Sequence, residues 1–491
     1  MPEVAGPADI QTLDNFIGGR WVHAHTSEFY DVHNPAVGDV IGRTPMSTAT
    51  DVDAAVRAAA EAFPAWRDTP VNARAQVLYR FKALLEQHFE SLARTVTTEH
   101  GKTLDEARGS VRRGIECVEV ACGAPSLMQG SALEDIATGI DCHFVRQPLG
   151  VCAAIAPFNF PAMVPMWFLP FAIVTGNTFV LKPSEQVPLS QRRMTELLQQ
   201  AGLPPGVVNL VNGGRDVVNA ICDHPGIRAV SFVGSTAVAK HVYQRATHAG
   251  KRVQALGGAK NFVVVMPDAD LDRAIGAIAE SFYGCAGERC LAGSMLVPVG
   301  DVHVSARDRM VAAARSLKVG DGAEPGVTMG PVISSAHRAR VVGYIEKGVA
   351  EGARLLLDGR QTRVPDRPNG YFVGPTVFDD VLPRMAIGHD EIFGPVASIC
   401  PVRTLEDAIA LAQSHPNANA ISIFTSSGKT AREFAKHAPA SMVGVNIGVA
   451  APMAYFPFGG AKDSFFGDLK AHGRDGIEFY TDKKVTISRW F

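Results

Sequence analysis

No two of the eight cysteines in this 491-residue chain stand in CxxC spacing, so neither a zinc ribbon nor a thioredoxin-like dithiol is expected. No apolar run reaches the ~18 residues that a membrane helix needs. The longest, residues 162–174, is interrupted by Pro165 and Pro170. Charge of one sign is also missing: 47 basic against 49 acidic residues leave a net charge of −2. That balance argues against nucleic-acid or membrane-surface binding, which both need concentrated basic patches. Pairs such as Arg112-Arg113 and Lys483-Lys484 read as solvated faces or local ion pairs. The start, MPEVAGPADIQ, has no basic segment before an apolar core and is not rich in Arg and Ser. Neither a secretory signal nor a transit peptide is therefore expected. There are no internal repeats or low-complexity tracts. Cysteines without a disulfide pattern point to a reduced, cytoplasmic protein.

What is present is an α/β pattern long enough for two or three domains. Residues 51–100 carry helical spacing at Val77, Leu78, Phe81, Leu84 and Leu85, with Asp51 or Asp53 as candidate caps. A second long helix is expected over 103–122. From about 149 short apolar strands alternate with helices: strands at 151–156, 178–181, 207–211 and 229–233, and helices at 189–201, 216–223 and 236–248. Units of ~30 residues in that order predict a parallel sheet with crossover helices, with a nucleotide-type site beyond the strands' C-terminal ends. A second α/β section follows Asp268, with helices near 272–283, 305–315 and 404–413 and a loop region at 358–375. Residues 131–148 and 480–491 alternate β-formers and are expected to pair into a small sheet. An exposed edge of that kind usually finds a partner chain.

Five segments carry chemistry. In VLKPSEQ, Lys182 and Glu185 follow a strand, where a donor and a carboxylate can grip ribose hydroxyls. A carboxylate there repels a 2′-phosphate and so favours NAD over NADP; the alternative is a surface ion pair. Gly234 and Ser235 of FVGSTAVAK stand at a strand-to-helix turn suited to a pyrophosphate, or are an ordinary helix cap. Cys290 of GERCLAGS lies among small residues that admit a substrate, and adjacent Arg289 favours its thiolate. The alternative is a buried, inert cysteine. Cys285 competes for the role without an adjacent arginine. Asn159 of FNFP follows a strand end. Its amide is placed to steady an oxyanion, a contribution of about 3–4 kcal/mol in comparable sites, or it closes an Asx turn. The acidic turn HDEIFGP adds a carboxylate, Glu391.

Taken in order, the segments APFNFP, VLKPSEQVPLS, FVGSTAVAK, GERC, HDEIFGP, GVNIG and PMAYFPFGG resemble the aldehyde dehydrogenase superfamily over essentially the full length. The resemblance implies an α/β fold with a Rossmann-type NAD-binding domain (1–127 and 148–258), a catalytic domain (259–455) and an oligomerisation β-flap (128–147 and 456–491). It implies Cys290 as nucleophile and Asn159 as oxyanion donor. It also implies a cofactor surface made by Ala156, Phe158, Lys182, Glu185, Gln186, Gly234, Ser235, Gly257, Glu391 and Phe393.

One match fails. Hydrolytic members carry a glutamate before Leu-Gly-Gly, and here RVQALGG has Ala255. Losing a positioned base costs roughly 10²–10⁴-fold in rate, so an acyl group on Cys290 is expected to wait for a thiol. GAKN, MVPMWF and the ending KDSFFGDLKAHGRDGIEFYTDKKVTISRW are similar to the CoA-acylating methylmalonate-semialdehyde dehydrogenase subgroup. That likeness implies NAD-dependent, decarboxylating oxidation of methylmalonate or malonate semialdehyde to propionyl-CoA or acetyl-CoA. It implies coenzyme A as co-substrate, Arg113 and Arg289 as substrate arginines, no metal, and a homo-oligomer. Phe262, where many members of the subgroup have histidine, and Gly257-Gly258 depart from the pattern. The alternative activity is hydrolytic, giving a free acid.

Overall fold

The computed structural model describes residues 10–491; most of the segment read for a leader lies outside them. Among the described residues no helix is long and apolar enough to cross a membrane.

The first sheet has eight strands. Its parallel centre runs Val208–Leu210, Thr178–Lys182, Val151–Ile155, Ile227–Val233, Arg252–Leu256. The three central strands Thr178–Lys182, Val151–Ile155 and Ile227–Val233 are apolar-rich and almost wholly buried, as a sheet covered on both faces requires. Chain order runs outward in one direction from Val151–Ile155 and in the other from Ile227–Val233. The two neighbours therefore form a topological switch point, where a crevice opens beyond their C-terminal ends. Helical residues 49–100 form three helices, Ala49–Asp68, Val71–Gln87 and Phe89–His100. The first is capped by Thr48, with Asp51 as the third helical residue of a capping box, rather than by Asp51 or Asp53.

At Gly257–Lys260 the chain crosses into a seven-stranded sheet, ordered Arg354–Leu357, Thr376–Asp379, Val396–Ile399, Gly293–Pro298, Asn261–Val265, Ala420–Phe424, Met442–Val445. All neighbours are parallel except the first pair. Beside the expected helices stand Ser335–Ala350, between the second and third of them, and Gly428–His437, after the third.

The third sheet pairs Thr481–Arg489 with Ile140–Pro148, and the latter with Ser131–Ala137. It stands out from the body and leaves Leu133, Val485 and Ile487 exposed. The tail departs from expectation before Thr481. Phe465–Phe466 adds an antiparallel strand to the first sheet, Ala461–Lys462 pairs with Asn417–Ala418, and Gly473–Phe479 is a helix whose Gly476 packs on Phe171. Residues 456–480 are thus tied to their own chain by backbone pairing and apolar burial, and only the last strand belongs to the flap.

Candidate active site

Lys182 ends its strand, is buried, and sets Nζ 2.7 Å from Glu185 Oε2. The hydroxyl of Thr44 donates to the Glu185 carbonyl at 2.8 Å, and the Gln186 N–H donates to Ser184 Oγ at 3.3 Å. Ala156, one strand over, donates its N–H to the Lys182 carbonyl at 2.9 Å. Across the switch point Gly234 leads to Ser235, the N-cap of the helix Thr236–His248. The Ser235 side chain makes no capping bond, so its hydroxyl and the first-turn N–H groups are free to meet an anion. A lysine–carboxylate pair at one strand end and an uncapped helix start at the other suit the ribose and pyrophosphate of a dinucleotide. Gly257 and Gly258 close this surface: a Cβ on Gly258 would collide with Glu391 Oε2.

The turn holding Glu391 and Phe393 is gripped from behind by the helix Ser335–Ala350, which sequence reading missed. Arg340 donates to the carbonyls of Glu391 at 2.8 Å and Ile392 at 3.0 Å. His337 Nε2 faces the Phe393 carbonyl at 2.7 Å, so that nitrogen carries the proton. Phe393 is thereby held at φ 61°, a conformation uncommon for a bulky residue. Its ring meets Phe158 edge-on, centroids 5.8 Å apart. Glu391 accepts the Ala259 N–H at 3.0 Å. Burial nevertheless pushes its carboxyl up to about 7.

Cys290 lies on a turn just before Gly293–Pro298, the central strand of the second sheet. Asn261 and Asn419 donate to its carbonyl at 2.9 and 3.0 Å. Asn159 is buried and donates to the Glu288 carbonyl at 3.0 Å. Lys102 Nζ donates to the Asn159 carbonyl at 2.6 Å from above the Phe160 ring. The loop of the expected amide is therefore hydrogen-bonded to the loop of the expected nucleophile. Lys102, Asn261 and Asn419 were not anticipated. Asn261 had a signal, as the residue that opens an apolar run three positions after the double glycine; the other two had none.

Cys290, Arg113 and Arg289 line one cavity of 470 Å³, together with Phe160, Trp167 and Cys285. Arg113 bonds Glu116 at 3.0 Å and the Pro452 carbonyl. Arg289 corrects the expectation that it favours the Cys290 thiolate. Its Nε donates to the sulfur of Cys285 at 3.3 Å, and its NH2 lies 3.4 Å from Glu106 Oε1. Cys285 and Ala286 both adopt left-handed backbone, φ 50° and 51°, and Gly284 leaves room that any Cβ would take from the guanidinium. The arginine therefore folds back over the earlier cysteine. The Cys290 thiol is pushed up to about 12 by burial and then by Glu391, against a weaker pull from Arg289.

Ala255 is fully buried, paired in the sheet with Phe232 and Phe466; no carboxylate stands there. Phe262 is a core residue of the second sheet, its ring 5.9 Å from that of His415.

The model of the aldehyde dehydrogenase family matches residues 21–486. The chain is 53% identical to malonate-semialdehyde dehydrogenase 2 of Geobacillus kaustophilus over 481 residues, 98% of this chain and 99% of that protein. Its fold superposes with a TM-score of 0.97 on a putative methylmalonate-semialdehyde dehydrogenase from Sinorhizobium meliloti complexed with NAD, at 43% identity and 99% coverage of both chains. The methylmalonate-semialdehyde dehydrogenase of Oceanimonas doudoroffii gives a TM-score of 0.96 at 46% identity, covering 98% of this chain and 99% of that one. The chain belongs to the aldehyde dehydrogenase family.

Proposed function

We propose that the chain is an NAD-dependent, CoA-acylating dehydrogenase of malonate or methylmalonate semialdehyde. The observation that carries the CoA step is Ala255, an apolar, fully buried residue where a hydrolytic enzyme needs its base. The names borne by relatives at 43–53% identity point to the same substrates.

The Cys290 sulfur bonds to the aldehyde carbon in this reading. An amide has two N–H donors. Asn159 spends one on Glu288 and keeps the other for the oxyanion. Lys182 and Glu185 hold the adenosine ribose, Ser235 and Gly234 face the pyrophosphate, and Glu391 and Phe393 line the nicotinamide end beside Ala156, Phe158, Gln186 and Gly257. Bound NAD supplies the acceptor for the hydride that leaves the aldehyde carbon. Arg113 and Arg289 hold the substrate carboxylate. A thioester remains on Cys290, the β-carboxylate leaves as carbon dioxide with its bonding pair left on the α-carbon, which takes up a proton, and the coenzyme A thiol displaces Cys290 to give propionyl-CoA or acetyl-CoA. The rival, hydrolysis with Glu391 as base, has a carboxyl of suitable affinity. The Ala259 N–H, however, stabilises the ionised form of that group and so weakens it as a base.

The exposed apolar side chains of the third sheet support a homo-oligomer built on the flap, a dimer or tetramer. Eight free cysteines suit a reducing cytoplasm.

The test is the mass of the intact protein after mixing with NAD and semialdehyde without coenzyme A. An acyl adduct mapping to the Cys290 peptide is expected. Free acid accumulating at the full rate, with no adduct, would sink the reading.

A further inference from the structure

Glu288 is fully buried, two residues before Cys290, and the site described so far uses only its carbonyl. Its side chain faces away from the substrate cavity, toward the cofactor turn. Oε1 accepts the Ile333 N–H at 3.1 Å and lies 3.4 Å from His337 Nε2, the nitrogen that also donates to the Phe393 carbonyl. Oε2 has no partner among the described residues and lies 3.8 Å from His100 Nε2, itself unpartnered. His100 stacks on Phe158, centroids 6.0 Å apart. The main chain of Glu288 is fixed as firmly: its N–H donates to the Cys285 carbonyl at 2.9 Å and its carbonyl accepts the Asn159 amide.

One residue thus joins two loops that are a hundred positions apart in sequence. From Phe393 the path runs through one histidine nitrogen to a carboxyl oxygen, and along two peptide units to the nucleophile. We infer that Glu288 is a positioning residue that couples the cofactor-side turn to the nucleophile loop, so that a ligand seated on Phe393 resets Cys290 and the amide of Asn159. The inference rests on Phe393 facing the cofactor and Cys290 being the nucleophile. Burial holds the Glu288 carboxyl well above the usual carboxylate range, so it acts as a neutral group. Its isosteric amide keeps the acceptor oxygen, and an apolar side chain of similar volume removes it.

The experiment measures the rate at which iodoacetamide alkylates Cys290, followed by peptide mass, with and without NAD. Wild type is expected to show a change of about 5-fold or more on adding NAD, the lower end of ordinary coupling between sites. Glu288→Gln keeps that change. Glu288→Met gives the same rate with and without NAD, and raises KM for NAD less than it lowers kcat. His337→Leu, which leaves Glu288 in place, reproduces the loss, and His337→Gln restores it. If Glu288→Met folds poorly, the two His337 variants decide alone. Coupling of wild-type size in Glu288→Met or His337→Leu, or no NAD effect in wild type, overturns the proposal. A different outcome marks failure of the functional reading itself: full turnover by Cys290→Ala.

Discussion

The guanidinium of Arg289 lies on the sulfur of Cys285, with Nε 3.3 Å from Sγ, although its neighbour in sequence is Cys290. The nucleophile therefore feels only a weak pull from the cation that adjacency promised. It rests under burial and the nearby Glu391, its thiol pushed up to about 12.

Alkylation of Cys290 in the free enzyme is accordingly expected to keep rising from pH 7 to pH 10, because the thiolate fraction grows throughout that range. Glu391 titrates at about 7, so it is ionised at pH 8 and opposes the thiolate. Glu391→Gln is expected to speed alkylation at pH 8. A plateau near pH 8.5 in wild type, or slower alkylation in the variant, contradicts this electrostatic picture.

Glu391 also carries a stability prediction. Its folded affinity is raised from 4.5 to about 7 by burial, so the folded state holds a proton that the unfolded chain releases. That contribution is full below pH 4.5 and is lost as pH rises through about 7. Glu391→Gln has no proton to lose. Melting curves should therefore show the variant gaining on wild type between pH 5 and pH 8.5. The buried Glu99, also raised to about 7, is common to both proteins and cancels. An unchanged or reversed difference counts against a buried, neutral Glu391.

Glu185, paired with Lys182 at 2.7 Å, is expected to set the choice between cofactors. Glu185→Ala removes a charged acceptor worth about 1.5–3 kcal/mol. KM for NAD should rise about 10-fold or more, while activity with NADP increases. Steady-state kinetics with both cofactors check it, and an unmoved NAD-to-NADP ratio rules the role out.

Arg113 and Arg289 share the cavity with Cys290. Arg113→Ala should raise KM for the carboxylated semialdehyde by about 10-fold or more, the loss of one bond to a charged group. KM for uncharged propanal should stay unchanged. An equal rise for both aldehydes means the arginine shapes the cavity without reading the carboxylate.

Much of this was legible in the chain because it rests on local pattern. The strands of the first sheet are short apolar runs between turn residues, and their alternation with helices dictates the switch point where Lys182, Glu185, Gly234 and Ser235 gather. Other features depend on what meets in space. The course of Arg289 is set by left-handed backbone at Cys285 and Ala286, two residues whose identity gives no sign of it. Tail residues 456–480 hold two-residue strands too short to register as a pattern. The helix Ser335–Ala350 did have a signal. Val341, Ile345 and Gly348 are buried at helical spacing behind a Ser334 cap, but its functional faces, His337 and Arg340, are polar and point at carbonyls supplied from a distant turn.

The central claim is that the acyl group on Cys290 is kept from water by Ala255 and released to a thiol. NADH formation from malonate or methylmalonate semialdehyde, followed with and without coenzyme A, tests it most directly. Without coenzyme A the account predicts a burst of one NADH per active site and then a rate lower by about 10²-fold or more, the scale of a missing base. Adding coenzyme A restores steady turnover, with acetyl-CoA or propionyl-CoA as product by mass. Sustained turnover to free acid without coenzyme A, at the same rate as with it, contradicts the account.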